Sequence, residues 1–161
     1  MNFIKINIGV FILLILHELG HIIVAKILNL PIQKIGFLLR PYPHFYVTVK
    51  WPQKRQYAFI YLFSGTFVTM TLFIISIINN FFNLSFLFWT FVIQLIIETN
   101  PFYSDFTIMT TLDNLSNRKN LSASNYKKLF KEYQFTAKWY CHFILWGTLI
   151  LLLFKLKTII L

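Results

Sequence analysis

Residues 11–24 read FILLILHELGHIIV, an apolar run in which only three side chains, His17, Glu18 and His21, can carry charge. On an α-helix, positions four apart lie one turn above each other on one face, so the two imidazoles lie together with Glu18 beside them. This His-Glu-x-x-His spacing is typical of a zinc site in which two histidines bind the metal and the glutamate acts as general base on water. The sequence therefore predicts Zn²⁺ bound by His17 and His21, with Glu18 as the catalytic base.

The apolar setting of these residues strengthens that prediction. A single histidine in an apolar helix is more often a hydrogen-bonded core residue than a metal ligand. An ionisable group near the centre of a bilayer, however, costs about 2.5–3.5 kcal/mol, and this helix carries three. We therefore favour a metal site over ordinary packing.

The composition is that of a membrane protein, because hydrophobic residues make up 57% of the chain and charged residues only 12%. Soluble domains contain about 25% charged residues. The length is that of one compact unit, so we predict a single integral membrane domain over residues 1–161. The net charge of +10 fits membrane topology, and we predict no nucleic-acid partner.

The pattern of apolar segments predicts an all-α polytopic fold with about four transmembrane helices. The segments run from about Ile6 to Leu28, Tyr57 to Ile78, Leu84 to Ile97 and Trp139 to Phe154. The third is shorter than the roughly 20 residues that cross a hydrocarbon core. It is also broken at Asn100-Pro101, and such breaks are tolerated at membrane depth where the backbone lines a cavity or is buried in protein.

Within this single domain, we expect a core over about residues 6–113, a basic cytoplasmic segment over about 114–138 and a C-terminal helix over about 139–156. Small residues at Ser64 and Gly65 let another helix approach closely, which predicts a packing face against the first span. In the basic segment we expect a helix from Tyr126 to Gln134, with Ser122 or Ser124 as its cap.

Between the first and second spans the sequence predicts a short β-hairpin lying on the membrane surface. Residues 45–51 alternate as in a strand, and Gly36 to Leu39 can pair with them across Arg40 to Pro43. The free edge of such a hairpin can accept an extended peptide. An amphipathic connector with aromatic side chains at the headgroups is the alternative. His44 is expected at the surface.

Basic residues are concentrated in two loops, which indicates the orientation in the membrane. Cytoplasmic loops carry the excess of Lys and Arg, so both loops are predicted to be cytoplasmic and both termini outside, in a multi-pass protein of the cell membrane. The residues are Lys34, Arg40, Lys50, Lys54 and Arg55 in the first loop, and Arg118, Lys119, Lys127, Lys128, Lys131 and Lys138 in the second.

A catalytic zinc uses three protein ligands and keeps one position for water, so one ligand is missing from the first span. The candidates in or beside the other spans are Glu98, Asp105, Asp113 and His142. Asp105 is the best match, because it follows the break on the side towards which the His17 and His21 pair is displaced. His142 and its neighbour Cys141 are interpreted as interfacial or packing residues.

These motifs resemble the three-helix core of the site-2 protease family of intramembrane zinc metalloproteases. The resemblance covers roughly residues 7–121 and is carried by His17-Glu18-Leu19-Gly20-His21, Ser64-Gly65, Asn100-Pro101 and Asp105. It implies that Asp105 is the third zinc ligand, that Glu18 is the catalytic base and that Asn100 positions substrate. The run from Asn100 to Leu121 is similar to the bacterial peptide-processing branch, which is associated with bacteriocin or peptide export.

The sequence departs from that family at one position, because Phe106 stands where the family has glycine after the aspartate. Asp113 is therefore kept as the substitute third ligand. The predicted function is that of a zinc metalloendopeptidase that cleaves a membrane-embedded or membrane-associated peptide near the cytoplasmic side, with a peptide exporter as a possible partner. The alternative, favoured by Phe106, is a catalytically inactive accessory or immunity factor of a peptide-export system with the same fold.

Overall fold

The computed structural model describes residues 2–38, 44–52, 54–102, 104–111 and 131–160. It is mostly helical, with a two-stranded hairpin between the first two helices, which confirms the predicted fold class. The elements are α1 (Asn2–Ile27), β1 (Ile32–Leu38), β2 (His44–Val49), α2 (Arg55–Ile78), a 3₁₀ turn (Phe81–Asn83), α3 (Ser85–Glu98), α4 (Asp105–Thr110) and α5 (Ala137–Ile160).

Three helices of the described chain are long and apolar enough to cross a membrane: Phe3–Ile27 in α1, Arg55–Ile78 in α2 and Ala137–Thr158 in α5. The fourth predicted span is the 14-residue helix α3, which ends at the break as expected. The structure thus has the predicted order of three full spans and one short one.

Two helices are longer than predicted, and each contains a lysine that lies over an aromatic ring. Helix α1 begins at Asn2 rather than Ile6, and α5 continues to Ile160 rather than Phe154. The ammonium group of Lys5 lies 5.5 Å from the ring centroid of Phe86, and that of Lys157 lies 4.9 Å from the ring of Trp89. A cation over an aromatic face is stabilised there, so these lysines are accommodated within the helices.

The C-terminus of α1 is formed by two residues acting together. Asn29 adopts a left-handed conformation with φ of 52°. The Leu30 amide bonds the Ala25 carbonyl at 2.8 Å, and the Asn29 amide bonds the Lys26 carbonyl at 3.2 Å. This is the Schellman arrangement, in which a left-handed residue turns the chain and satisfies the last carbonyls. Pro31 then prevents the helix from continuing.

The two strands pair antiparallel, with Ile35 opposite Val47 and Phe37 opposite Phe45. The predicted hairpin is confirmed, and its aromatic side chains pack against α1. Phe45 and Phe37 contact Phe11, with ring centroids 5.5 Å and 6.5 Å apart. The side chains of Phe37 and Phe45 on the two strands therefore form an aromatic contact with the middle of α1.

The core consists of two apolar clusters, one on each side of the polar residues of α1. The first joins α1, α2, α3 and α5 and contains Leu13, Phe73, Phe82, Phe88, Phe91, Val92, Leu95 and Leu153. The second joins α1, α2 and β2 and contains Ala25, Val49, Ala58, Tyr61 and Leu62. His17 and His21 lie between Leu13 and Ala25 along α1, so the polar site is enclosed by the two clusters.

Candidate metal centre

Three side chains singled out in the sequence meet at one point. Nε2 of His17 and Nε2 of His21, both on α1, lie 3.1 Å apart. Oδ2 of Asp105, the first residue of α4, lies 3.1 Å from the His17 atom and 3.0 Å from the His21 atom. The two histidines are buried and Asp105 is half-buried. In the part of the chain that the structure describes, this is the one group of potential metal ligands whose donor atoms converge.

The other nitrogen of the His21 ring faces an acceptor, which fixes the tautomer. Nδ1 lies 2.8 Å from the carbonyl oxygen of Tyr61. Since a carbonyl only accepts, Nδ1 carries the hydrogen. Ser64 Oγ lies 3.1 Å from the same nitrogen and donates its own hydrogen to the Tyr61 carbonyl at 2.6 Å. A neutral His21 ring therefore directs the lone pair of Nε2 at Asp105.

Glu98, the last residue of α3, has the same effect on His17. Its Oε1 accepts a hydrogen bond from Nδ1 of His17 at 2.9 Å. The same oxygen accepts from Thr69 Oγ1 and Gln94 Nε2, both at 2.6 Å, which hold the carboxylate in place. Metal-binding histidines usually donate their second ring N–H to a carboxylate or carbonyl, which orients the ring and raises its basicity. Both rings have such a partner here.

The three convergent atoms fit a zinc ion. With both rings in the Nδ1–H form, two nitrogen lone pairs and a carboxylate oxygen face one another at 3.0–3.1 Å with no hydrogen between them. Three such electron pairs repel one another, and a proton on one ring or a metal ion among the three atoms relieves the repulsion. Ligands placed about 2.0–2.1 Å from a tetrahedral zinc are roughly 3.3 Å apart, close to the spacing found here. Two histidines and one carboxylate are also a known ligand set of catalytic zinc.

Asp105 reaches the histidines because the chain turns sharply after α3. Ser104 caps α4, accepting from the Thr107 amide at 3.3 Å and donating to the Asn100 carbonyl. As a zinc ligand, Asp105 would bind through its carboxylate Oδ2, the atom that faces both histidines.

Two glycines let the helices approach closely enough to form the site. A Cβ on Gly65 of α2 would lie 2.5 Å from Nε2 of His17, inside the space that the ring occupies. A Cβ on Gly20 of α1 would lie 2.8 Å from the carbonyl oxygen of Ser64. The predicted packing face at Ser64 and Gly65 therefore exists, and it cradles the ring of a predicted ligand.

Glu18 lies beside the three convergent side chains and is half-buried. Its carboxyl group lies close enough to His21, His17 and Asp105 to interact with them electrostatically, and it takes a hydrogen bond from the backbone amide of Val47. The catalytic base predicted from the sequence is thus next to the cluster, at the edge of β2.

The other predicted residues lie in different surroundings. Asn100 uses its side chain within the turn, donating to the Ile97 carbonyl and accepting from the Phe102 amide. His142 binds the Thr99 carbonyl and Tyr133 rather than the cluster. Cys141 is exposed on α5. Asp113, Ser122, Ser124 and residues 126–130 of the predicted helix lie outside the described residues, as does the side chain of His44.

Sequence reasoning considered Glu98 only as a candidate third ligand and gave Gln94, Thr69 and Tyr61 no part in the site. One signal was available: Thr90, Gln94 and Glu98 are spaced four apart on an apolar helix and therefore share one face. A polar stripe on a short buried helix predicts a polar partner. The identity of that partner, His17, does not follow from the spacing.

A model of the family described as "Putative zincin peptidase" matches residues 10–118 of the chain. The matched region contains the hairpin and helices α2, α3 and α4, most of α1, and every residue of the cluster. Helix α5 lies outside it. No curated protein and no solved structure gives a significant match.

Proposed function

The chain belongs to the peptidase family whose model matches its residues 10–118, and from this membership together with the metal centre we infer that it is an intramembrane zinc metalloendopeptidase. The observation that carries the proposal is the convergence of His17, His21 and Asp105 beside Glu18, inside a bundle of membrane-length helices. The arrangement agrees with the site-2 protease resemblance of the sequence.

In the proposed mechanism, His17, His21 and Asp105 hold the zinc. When bound, zinc supplies Lewis-acid activation of water and of the scissile carbonyl. The carboxylate of Glu18 takes a proton from the attacking water and delivers it to the leaving amine. Glu98 and the Tyr61 carbonyl keep the two rings in the tautomer that leaves Nε2 free to bind metal.

The proposed substrate is a peptide held in or on the membrane. His21 lies about 9 Å of helix rise before the end of α1 at Ile27, so cleavage takes place near that end of the bundle. The basic loops support the proposal that this end lies at the cytoplasmic face of a multi-pass protein in the cell membrane. A peptide exporter that delivers or removes the substrate is the proposed partner.

The substrate is proposed to bind as an extended strand. A helical segment hides its carbonyls in hydrogen bonds, so it must unwind before hydrolysis. Val47 marks the edge of β2 that faces the site, because its amide bonds Glu18 and its carbonyl accepts from Tyr61 Oη at 2.7 Å. A peptide that adds to β2 at this edge lies next to the catalytic base.

A second candidate function is that of an inactive accessory or immunity factor, and Phe106 is the observation in its favour. Phe106 adjoins Asp105 and meets Phe63 edge-on, with ring centroids 6.4 Å apart. A bulky ring beside the third ligand restricts access from that side. Glu18, which a purely packed helix does not need, argues for the enzyme.

The test compares zinc content and proteolysis of the detergent-purified wild type with those of two variants. Wild type and Glu18→Gln should each bind about one zinc per chain, and His17→Ala should bind little. Membranes from cells producing wild type should contain new peptide N-termini, found by mass spectrometry, that are absent with Glu18→Gln. If Glu18→Gln gives the same new termini as wild type, the enzymatic proposal is wrong. Zinc without any new termini would favour the inactive factor.

A further inference from the structure

Side chains of helix α5 donate three hydrogen bonds to backbone carbonyls in the last turn of α3 and in the break between α3 and α4. Nε1 of Trp146 donates to the Ile96 carbonyl at 3.1 Å, and Nε1 of Trp139 donates to the Pro101 carbonyl at 3.2 Å. Between them, Nε2 of His142 bonds the Thr99 carbonyl at 2.9 Å. The three donors are separated by three and four positions, so they form one face of α5.

These bonds pair backbone carbonyls that the end of α3 leaves without partners. The last carbonyls of a helix have no partner within it, and an unpaired carbonyl at membrane depth costs several kcal/mol. Some of these carbonyls have local donors. The Thr99 amide donates to the Leu95 carbonyl, and the Asn100 side chain donates to the Ile97 carbonyl. The hydroxyls of Ser104 and Thr107 donate to the Asn100 carbonyl. Helix α5 supplies donors for the carbonyls of Ile96, Thr99 and Pro101.

A further contact fixes the tautomer of His142. Its Nδ1 lies 3.2 Å from the hydroxyl of Tyr133, which is buried. Because the Thr99 carbonyl requires a hydrogen on Nε2, Nδ1 accepts from the Tyr133 hydroxyl. The imidazole is thus held in one orientation by partners on both sides.

Several large apolar side chains of α5 are exposed. Ile144 and Leu145 are 65% and 68% exposed, and Leu151 is 71% exposed. The polar face of α5 is therefore directed at the break, and these three apolar side chains point outward, while Leu153 packs in the first core cluster.

We propose that Trp139, His142 and Trp146 are positioning residues for the metal centre, which they order by fixing the backbone of the break. The inference rests on the proposed function. Glu98 immediately precedes the break and bonds His17, and Asp105 immediately follows it and meets both histidines. A shift of the break moves both carboxylates away from the rings. Helix α5 lies outside the matched family region, but it then helps to position the ligands of the metal centre.

The test measures metal binding rather than proteolysis, using the full-length protein in detergent loaded with zinc or with cobalt(II). The variants are Trp146→Phe and His142→Leu, singly and together. Zinc affinity is measured by chelator competition, and the visible absorption of bound cobalt reports ligand geometry. The double variant should lose about 10-fold or more in zinc affinity, as when an outer hydrogen-bond partner of a ligand is removed. Its cobalt spectrum should also shift.

Three further variants separate positioning from general packing. His142→Gln keeps an N–H near the place of Nε2 and should restore most of the affinity lost in His142→Leu. Trp89→Phe removes an indole on α3 that contacts Phe154 far from the break. Thr148→Val removes a hydroxyl that bonds only within α5, to Ile144. Both controls should keep the wild-type affinity and spectrum.

The possible outcomes are distinct. Wild-type affinity and spectrum in the double variant would overturn the inference and leave the proposed function intact. Equal losses in the two controls and the double variant would overturn it as well, since the effect would then be general. If wild type binds neither zinc nor cobalt, the proposed function fails, and this inference fails with it. If the double variant does not fold, Trp146→Phe alone should still shift the cobalt spectrum, and an unchanged spectrum overturns the inference.

Discussion

Nδ1 of His17 lies 2.9 Å from Oε1 of Glu98, although 81 positions separate the two residues in the sequence. The contact joins the middle of α1 to the end of α3. It places a buried carboxylate behind a predicted metal ligand, where it fixes the tautomer and the direction of the ring. The short helix α3 thus contributes to the site through its last residue.

The first prediction concerns Glu98. Glu98→Ala should lower zinc affinity by about 10–100-fold, because the His17 ring loses the acceptor that orients it. Zinc affinity is measured by competition with a fluorescent chelator. Thr69→Val is the matched comparison: it removes one of the donors that hold Oε1 but leaves the bond to His17 in place, so it should lower the affinity less than Glu98→Ala. Unchanged affinity in Glu98→Ala would contradict the role given to this carboxylate.

The second prediction concerns Gly65. Gly65→Ala should abolish stoichiometric zinc binding, because the added Cβ would lie 2.5 Å from Nε2 of His17 and the ring must move away. Gly147→Ala in α5 is the matched control, as a Cβ there has no atom within 4 Å. In the control we expect a small gain in stability, up to about 1 kcal/mol, since alanine favours a helix more than glycine. Zinc content and thermal unfolding of the two proteins distinguish the cases.

The local part of the site was predictable from the sequence. His17, Glu18 and His21 lie within five residues of one helix, and helix geometry alone brings them together. The strands were also recognised, because alternation over 45–51 is a local pattern. Asp105 was chosen from its place after the break and from the family resemblance.

The remaining features depend on contacts between distant residues. Nothing in the sequence shows that Gly65 faces His17, or that Tyr61 orients His21 with its carbonyl. The packing of the hairpin on Phe11 depends on how the chain turns after Asn29. Such contacts are set by tertiary packing, which spacing along the chain does not describe.

The third prediction concerns metal removal. Stripping zinc with a chelator should lower the melting temperature, because the three convergent lone pairs are left without a cation. Zinc at 100 times its dissociation constant stabilises the folded state by about 2.7 kcal/mol, and adding zinc back should restore the melting temperature. Magnesium should not, since it prefers oxygen ligands. Asp105→Ala should show little zinc-dependent change, and a full zinc-dependent rise in that variant would exclude Asp105 as a ligand.

The fourth prediction concerns the bond between Tyr61 and the hairpin. The Tyr61 hydroxyl donates to the Val47 carbonyl at 2.7 Å, while its backbone carbonyl orients His21. Tyr61→Phe removes only the hydroxyl contact, so zinc affinity should stay near that of wild type. Local opening of β2 should become easier by about 0.5–1.5 kcal/mol, the net contribution of one hydrogen bond.

Hydrogen–deuterium exchange over residues 44–49 measures this opening directly. Tyr140→Phe is the matched control, because that ring lies exposed on α5, away from the hairpin. We expect faster exchange of β2 in Tyr61→Phe and no change in the control. The variant should also cleave membrane peptides at least as fast as wild type, since an added strand takes the Val47 carbonyl that the hydroxyl has released. Slower cleavage with normal zinc content would contradict the proposal that the substrate adds to β2 at Val47.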